Sequence, residues 1–177
     1  VCGRICTHPC ETACKRGAVD EPVAIRALKR AAAEARSAVS EVPRGLPPTR
    51  DRVAVVGGGP TGLVAAGDLA RLGYRVTLFE ASSVLGGMLA LAVPRYRLPQ
   101  DVLLEDVEDL LSLGVEVRTN TPLDASLSLD SLREQGFRAV FLAVGTRAGR
   151  TLRVPGVELD GVLSGVDFLI NINLGYK

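Results

Sequence analysis

The sequence predicts an α/β fold, a Rossmann-like parallel sheet with helices, preceded by a small helical segment that contains the cysteines. Three observations support this. Strand-like and helix-like stretches alternate from Arg52 onward, a glycine-rich loop follows the first strand-like run, and all four cysteines fall in the first 14 residues. Alternating strands and helices favour a parallel sheet covered by helices on both faces.

The apolar pattern predicts the individual elements of the sheet unit. Strands are expected over residues 52–56, 75–80, 115–119 and 139–144, and helices over 61–72 and 101–113. A long irregular stretch is expected over 81–99. Ser131, with Glu134 three residues later, indicates a capping box at the start of a further short helix.

The segment before the sheet unit favours a helix over residues 20–41. Its apolar residues recur at steps of three and four, namely Ile25, Leu28, Ala32, Ala35 and Val39. Pro22 suits the first helical turn, where a missing N–H costs little. The proline-rich stretch after it cannot continue a helix. We therefore predict a helical segment over 1–42, a linker over 43–50 and the sheet unit over 51–177.

The composition excludes several functional classes. A hydrophobic content of 47% and a net charge of +1 argue against disorder and against a polyanion-binding surface, so nucleic acid is not an expected partner. No apolar stretch approaches the roughly 20 residues that a membrane-spanning helix needs, and the amino-terminal residues lack a signal-peptide core. The expectation is a cytoplasmic protein that does not enter a membrane.

The glycine-rich loop predicts a dinucleotide-binding site. It lies between a strand and a helix and consists of Gly57, Gly58, Gly59, Pro60, Thr61 and Gly62. In this motif the first glycine permits a tight turn, the second lets the backbone approach a diphosphate, and the last lets the helix pack closely on the strand. The amino terminus of the helix then offers free N–H groups to the phosphates.

An acidic residue at the end of the next strand supports this interpretation. Glu80 follows Gly62 by 18 residues, where a carboxylate can accept hydrogen bonds from ribose hydroxyls. Its negative charge also disfavours a ribose 2′-phosphate, so NADP is not expected at this first site. The alternative is a glycine-rich turn in a core unit, with Glu80 an ordinary solvated strand end.

Two further glycine positions are ambiguous when taken alone. Gly86 and Gly87 follow Glu80 closely and would let the backbone approach an extended ligand, or they form a plain loop. Gly145, at the end of the last strand, carries the same two interpretations. The residues themselves leave the choice between FAD and NAD open.

The cysteines Cys2, Cys6, Cys10 and Cys14 are evenly spaced, with three residues between neighbours. Clustered thiolates suit an iron–sulfur cluster or zinc. One uninterrupted helix cannot bring all four together, although Pro9 would interrupt such a helix. A single metal site, shared ligation of two clusters and buried structural thiols all stay open, and His8 is interpreted as a turn residue.

Taken together, the cysteine run over 2–14, the segment over 21–30 and the Gly57 loop resemble the small subunit of NADPH-dependent glutamate synthase. The same family includes the amino-terminal half of dihydropyrimidine dehydrogenase and other FAD and iron–sulfur oxidoreductases. The motifs over 86–88, 96–99, 113–115 and 162–169 also fit it, so the resemblance covers nearly the whole chain.

The resemblance implies an assignment of cofactor ligands. In the family, two [4Fe-4S] clusters are held by an amino-terminal helical domain, and Cys6, Cys10 and Cys14 match cluster ligands by position. Cys2 matches a cysteine that is not usually a ligand, and Lys29 falls where some members offer a glutamine or glutamate. The positions that match FAD contacts are Gly57 to Thr61, the stretch from Glu80 to Met88 with Gly86 and Gly87, Arg97 and Leu123.

The resemblance also implies that the chain is a fragment. The upstream cysteine run is missing, and the sequence stops where the glycine loop of the NAD(P)H-binding domain would begin. The intact protein is expected to take a hydride from NADPH or NADH onto FAD. It would pass the electrons through [4Fe-4S] clusters to a partner such as a glutamate synthase large subunit. The fragment alone is expected to be inactive, and no residue is assigned as acid or base.

Two other functions fit the residues. One is an accessory or truncated subunit that binds flavin and iron–sulfur clusters without turnover of its own. The other is an NAD-dependent dehydrogenase whose cysteines bind zinc.

Overall fold

The computed structural model describes residues 1–35, 46–147, 149–150 and 152–176. Its described part contains four strands, β1 Arg52–Val56, β2 Arg75–Phe79, β3 Glu116–Arg118 and β4 Ala139–Leu142. They form a parallel sheet in the order β3-β2-β1-β4. The predicted fold class, a Rossmann-like parallel sheet with helices after a helical segment that carries the cysteines, is thereby confirmed.

Eight α-helices are found in the part of the chain that the structure describes. They are α1 Cys2–Ile5, α2 Pro9–Thr12, α3 Ile25–Glu34, α4 Pro60–Arg71, α5 Met88–Leu91, α6 Gln100–Leu111, α7 Leu129–Glu134 and α8 Gly165–Leu174. None of these described helices is long and apolar enough to cross a bilayer.

The sheet separates two apolar cores because alternate side chains of a strand point to opposite faces. On one face, Val55 and Leu78 pack with residues of α4 and α6, including Leu63 and Leu103. On the other face lies a smaller core formed by Ala54, Val56, Phe79, Leu127, Leu132 and Phe137. The helices on both faces fix the strand ends from which the functional loops emerge.

The cysteine segment folds differently from the prediction. The helix expected over 20–41 begins only at Ile25, and Pro22 lies outside it, in residues without helical structure. Residues 36–41 of that prediction, and residues 43–45 of the predicted linker, lie outside the described residues. The Glu11 carboxylate accepts the Arg26 N–H at 2.7 Å, which satisfies a donor in the first turn of α3 from 15 residues away.

Smaller differences occur in the sheet unit. The stretch 81–99, predicted to be irregular, contains the short helix α5, and β4 ends at Leu142 rather than at residue 144. The predicted capping box was also wrong. Ser128, not Ser131, is the N-cap of α7, and Ser131 occupies the third helical position, where its side chain accepts the Ser128 N–H at 2.9 Å.

This corrected cap leads to a stability prediction. Replacing Ser128 with alanine removes the acceptor of the Ser131 N–H, so we expect a loss of about 1 kcal/mol in the free energy of unfolding. Glu134→Gln alters the other half of the box suggested by the sequence and should change little. Urea denaturation of both variants measures the difference, and equal losses would contradict the corrected assignment.

Candidate dinucleotide-binding site

The glycine loop begins at the carboxyl end of β1, where only a glycine fits. Gly57 has φ of +110°, a conformation that other residues rarely adopt. A Cβ atom at this position would overlap the Ala143 carbonyl oxygen at the end of β4. The Gly57 N–H also donates to the Phe79 carbonyl at 2.7 Å, which joins the loop to the end of β2. Three strand ends therefore meet at this turn.

Helix α4 starts directly after the loop and points its amino terminus at the turn. Its first intrahelical hydrogen bond runs from the Leu63 N–H to the Gly59 carbonyl at 2.9 Å, and the N–H groups of Thr61 and Gly62 precede it. Unpaired N–H groups and the positive end of the helix dipole favour an anion. Gly62 permits this geometry, because a Cβ atom there would overlap the Gly57 carbonyl oxygen.

Glu80 is buried at the end of β2, with 8% of its surface exposed. Its carboxylate accepts the Gly58 N–H at 2.7 Å through one oxygen and the Ser82 N–H at 2.7 Å through the other. The Ser82 hydroxyl also donates to the second oxygen, at 2.7 Å. A carboxylate has about four acceptor positions, so these three hydrogen bonds leave room for about one ligand hydroxyl. Glu80 therefore holds the glycine loop in place and keeps an acceptor position available, which the spacing in the sequence did not reveal.

The second glycine pair packs directly against the first loop. The Gly86 N–H donates to the Gly58 carbonyl at 2.8 Å, and Gly87 has φ of +53°. A Cβ atom at Gly87 would lie 2.8 Å from the Gly59 Cα atom. The Gly57 loop and the pair Gly86 and Gly87, which are far apart in sequence, thus form one continuous backbone surface.

These elements enclose a cavity of about 180 Å³. Its lining includes most of the predicted cofactor-binding residues, namely Gly57, Gly59, Pro60, Thr61, Glu80, Gly87, Met88 and Gly145. Thr146 and Arg147 complete the wall beyond β4. Arg147 was missed by the sequence analysis, and only its proximity to Gly145 would have indicated it. The arrangement provides backbone donors, a carboxylate and a nearby cation, which suits a phosphate attached to a sugar.

The other predicted residues lie outside this cavity lining. Gly58, Gly62 and Gly86 support the loop from behind through the contacts described above. Arg97 lines a separate cleft beside the cysteine segment. Leu123 follows β3 and is 40% exposed.

The contact between the glycine pairs can be tested with Gly87→Ala. Gly87 has a positive φ, and the added methyl group would press on Gly59. We therefore expect a loss of about 2 kcal/mol in stability, with weaker nucleotide binding. Gly114→Ala is the matched control, because Gly114 has φ of +88° but open space around its Cβ position. Chemical denaturation and nucleotide titration measure both variants. Equal effects on nucleotide binding would show that the contact is unimportant.

The four cysteines are free thiols in the structure, with Cys2 and Cys10 exposed and Cys6 and Cys14 half-buried. Within the described residues, no group of three or more cysteine, histidine or acidic side chains is placed to hold a metal ion. Hydrogen bonds from the backbone N–H groups of Val23, Arg16 and Gly17 lower the pKa of Cys14, which favours its thiolate. Cys6, Cys10 and Cys14 thus do not by themselves form a complete site for a [4Fe-4S] cluster.

Comparison with known proteins places this geometry in a wider context. Residues 55–102 match the model of an NAD(P)-binding Rossmann-like domain. The chain is 40% identical to the NADP(+)-dependent formate dehydrogenase subunit beta of Moorella thermoacetica, over 98% of this chain and 28% of that protein. It is 39% identical to the NADPH-Fe(3+) oxidoreductase subunit beta of Geobacter sulfurreducens, over 99% of this chain and 27% of that protein.

Two further comparisons agree with these. The chain is 38% identical to the glutamate synthase [NADPH] small chain of Mycobacterium tuberculosis, over 94% of this chain and 34% of that protein. The solved structure of FprA, an oxidoreductase of Mycobacterium tuberculosis, matches with a TM-score of 0.63 at 25% identity, over 72% of this chain and 29% of that one. The chain thus spans about a third or less of these relatives. The predicted resemblance is confirmed, and the chain is a homologue of the glutamate synthase small subunit and of related oxidoreductase beta subunits.

Proposed function

We propose that this chain forms the FAD-binding part of an NAD(P)H oxidoreductase that passes electrons to a partner protein, most like the glutamate synthase small subunit. The observation that carries the proposal is the cavity where the Gly57 loop, Glu80 and Gly87 meet. The relatives support it, since their names describe NADPH-linked oxidoreductase subunits.

The residues of the cavity have separate tasks in this proposal. The backbone at Gly59 and the N–H groups at the start of α4 hold the diphosphate of FAD. Glu80 accepts a hydrogen bond from the adenosine ribose while its bond to the Gly58 N–H fixes the loop. Gly87 and Met88 extend the surface beyond the diphosphate. Gly145 and Arg147 close the opposite wall, where the guanidinium adds positive charge near the phosphates.

The choice of FAD rests on the resemblance, and the charge of the site argues against NADP. FAD and NAD(P) share an adenosine diphosphate half, so the matched Rossmann-like model does not distinguish them. The buried Glu80 carboxylate opposes a 2′-phosphate, which argues against NADP at this cavity.

When bound, FAD would accept a hydride from NADPH or NADH and release the electrons to a further carrier. The chain's own contribution is to bind and orient this cofactor. We propose that the nicotinamide nucleotide is bound by residues outside this chain, and we assign no acid or base. The division into a helical segment over 1–42, a linker over 43–50 and a sheet unit over 51–177 stays a prediction, as does a cytoplasmic location.

We further propose that Cys6, Cys10 and Cys14 contribute to [4Fe-4S] clusters of a longer protein, with Cys2 a weaker candidate. The described thiols do not converge, so ligands from outside the chain and a change in their arrangement would be required. The partner would be an electron-accepting subunit such as a glutamate synthase large subunit.

The proposal is tested on the protein purified at its natural length. Nucleotide released by denaturation should be FAD, and anaerobic addition of NADPH or NADH should bleach the flavin absorbance. Iron and acid-labile sulfide should be present in equal amounts. Released NAD with bound zinc would instead identify a dehydrogenase, and flavin that neither nicotinamide nucleotide reduces would identify an accessory subunit.

A further inference from the structure

A buried amide side chain joins α8 to the turn that follows α5. Asn173 lies near the end of α8 and is 8% exposed. Its Nδ2 atom donates to the Leu91 carbonyl at 3.0 Å and to the Val93 carbonyl at 3.1 Å. Arg95 Nη2 in turn donates to the Asn173 backbone carbonyl at 2.8 Å. Three hydrogen bonds therefore hold together two segments that are 78 to 82 residues apart in sequence.

The two carbonyl groups depend on this amide. The N–H groups of Ala92 and Val93 both donate to the Met88 carbonyl, at 2.9 and 3.1 Å, so the backbone turn after α5 leaves the Leu91 and Val93 carbonyls without a backbone donor among the described residues. A helix of only four residues is also not stable by itself in water. The position of α5 therefore depends on its tertiary contacts, and the Asn173 hydrogen bonds are among them.

Helix α5 forms part of the wall of the dinucleotide cavity. Its first and last residues, Met88 and Leu91, both line the cavity, and so does Gly87 directly before them. Asn173 is not part of this lining. It binds the carbonyl of Leu91, whose side chain faces the cavity and is buried. The amide can therefore influence a bound cofactor only through the position of α5.

An amide is the side chain that this arrangement requires. Its nitrogen carries two N–H donors, one for each carbonyl group, whereas an ionised aspartate of the same shape only accepts hydrogen bonds. A buried carbonyl that loses its donor is left unsatisfied, so the turn would have to move toward water or another donor. Because Met88 and Leu91 lie in the same helical turn, such a movement would also shift the cavity wall.

We propose that Asn173 is a positioning residue for the cofactor, which sets the place of Met88 and Leu91 in the cavity wall by holding the carbonyls at the end of α5. Arg95 supports this arrangement by holding the end of α8. The inference rests on the proposed function, because it takes FAD as the occupant of the cavity. It adds a residue that does not touch the cofactor but on which the surroundings of the flavin depend.

The positioning role is tested with Asn173→Ala in the protein of natural length. At a temperature where far-ultraviolet circular dichroism shows it fully folded, this variant should bind FAD about tenfold more weakly. With saturating FAD, the visible circular dichroism of the bound flavin should change as well, because the wall beside Met88 moves. Asn173→Asp keeps the shape but removes both donors, and it should behave in the same way.

Two controls separate positioning from a general loss of stability. Asn171→Ala makes the same truncation at an exposed position of α8 and should leave both measurements unaltered. Ser128→Ala is expected to destabilise the protein at the start of α7, away from α5 and α8, and should bind FAD normally once folded. Weakening of FAD binding by Ser128→Ala equal to that by Asn173→Ala would overturn the positioning role.

Normal FAD affinity and an unchanged flavin spectrum in folded Asn173→Ala would overturn it as well. If Asn173→Ala does not fold, Arg95→Ala decides the question, because it removes an exposed side chain and only the hydrogen bond to the Asn173 carbonyl. It should weaken FAD binding about threefold, and unchanged binding would contradict the proposal. An unmodified protein that binds no FAD would instead contradict the proposed function.

Discussion

Replacing Gly62 with alanine should destabilise the protein by about 3 kcal/mol and abolish FAD binding. The new Cβ atom would overlap the Gly57 carbonyl oxygen and would lie 3.0 Å from the Gly57 carbonyl carbon. Both are backbone atoms of a turn already fixed between β2 and β4, so a change of side-chain rotamer cannot relieve the overlap. Helix α4 must shift away from the loop, which moves its free N–H groups away from the phosphates.

Gly165→Ala is the matched control for this variant. Gly165 also lies in the first turn of a helix, α8, but apart from its chain neighbours and its own helix backbone no atom lies within 4 Å of its Cβ position. It should change stability by less than about 0.5 kcal/mol. Urea denaturation gives the stability of both variants, and flavin fluorescence gives FAD binding. A Gly62→Ala protein with normal FAD affinity would show that the close approach of α4 to the loop is dispensable.

Glu80→Gln should weaken FAD binding at least about tenfold and cost about 2 kcal/mol of stability. The carboxylate accepts two backbone N–H groups through different oxygens, whereas a glutamine offers one acceptor oxygen and turns an NH₂ group toward the other donor. Either Gly58 or Ser82 then loses its partner. Gly58 is buried, so water does not easily replace that hydrogen bond.

The control for the charge removed is Glu134→Gln, an exposed position on α7. It makes the same chemical change without touching the loop and should leave FAD binding unaltered. Titration with NADP is informative as well. Removing the Glu80 charge removes its repulsion of a 2′-phosphate, so the variant should bind NADP more tightly than the unmodified protein does. Unchanged FAD affinity in Glu80→Gln would show that the carboxylate does not contribute to FAD binding.

The sheet unit was predictable because its determinants are local. Apolar runs mark β1 and β2, and the glycine loop between them marks the start of α4. Much of the cavity was predictable for the same reason, since Gly57 and Glu80 occupy strand ends that a parallel sheet brings to one edge. The sequence motif did not reveal that Glu80 also accepts the Gly58 N–H, because its spacing is equally compatible with a solvated strand end.

Features that depend on distant partners were missed. Helix α3 begins at Ile25 because the turn before it and the Glu11 carboxylate set its start, and neither is visible in the apolar periodicity. The capping box of α7 uses a serine in place of glutamate, so the pattern pointed to the wrong residue. The cleft that Arg97 lines beside the cysteine segment collects residues from three separate parts of the chain, which only the tertiary structure brings together.

Ile5, which lies next to Cys6, packs against the same apolar core as Val55 and Leu78. The thiol-bearing segment is therefore not an independent appendage, because its position depends on how well the sheet and α6 are packed. Loosening that interior, for example by trimming Leu103, would also disturb the geometry of the cysteines without altering any of them. The temperature at which a thiol-ligated centre in this protein is lost would then be set by the unfolding of this hydrophobic core rather than by the strength of the bonds to sulfur.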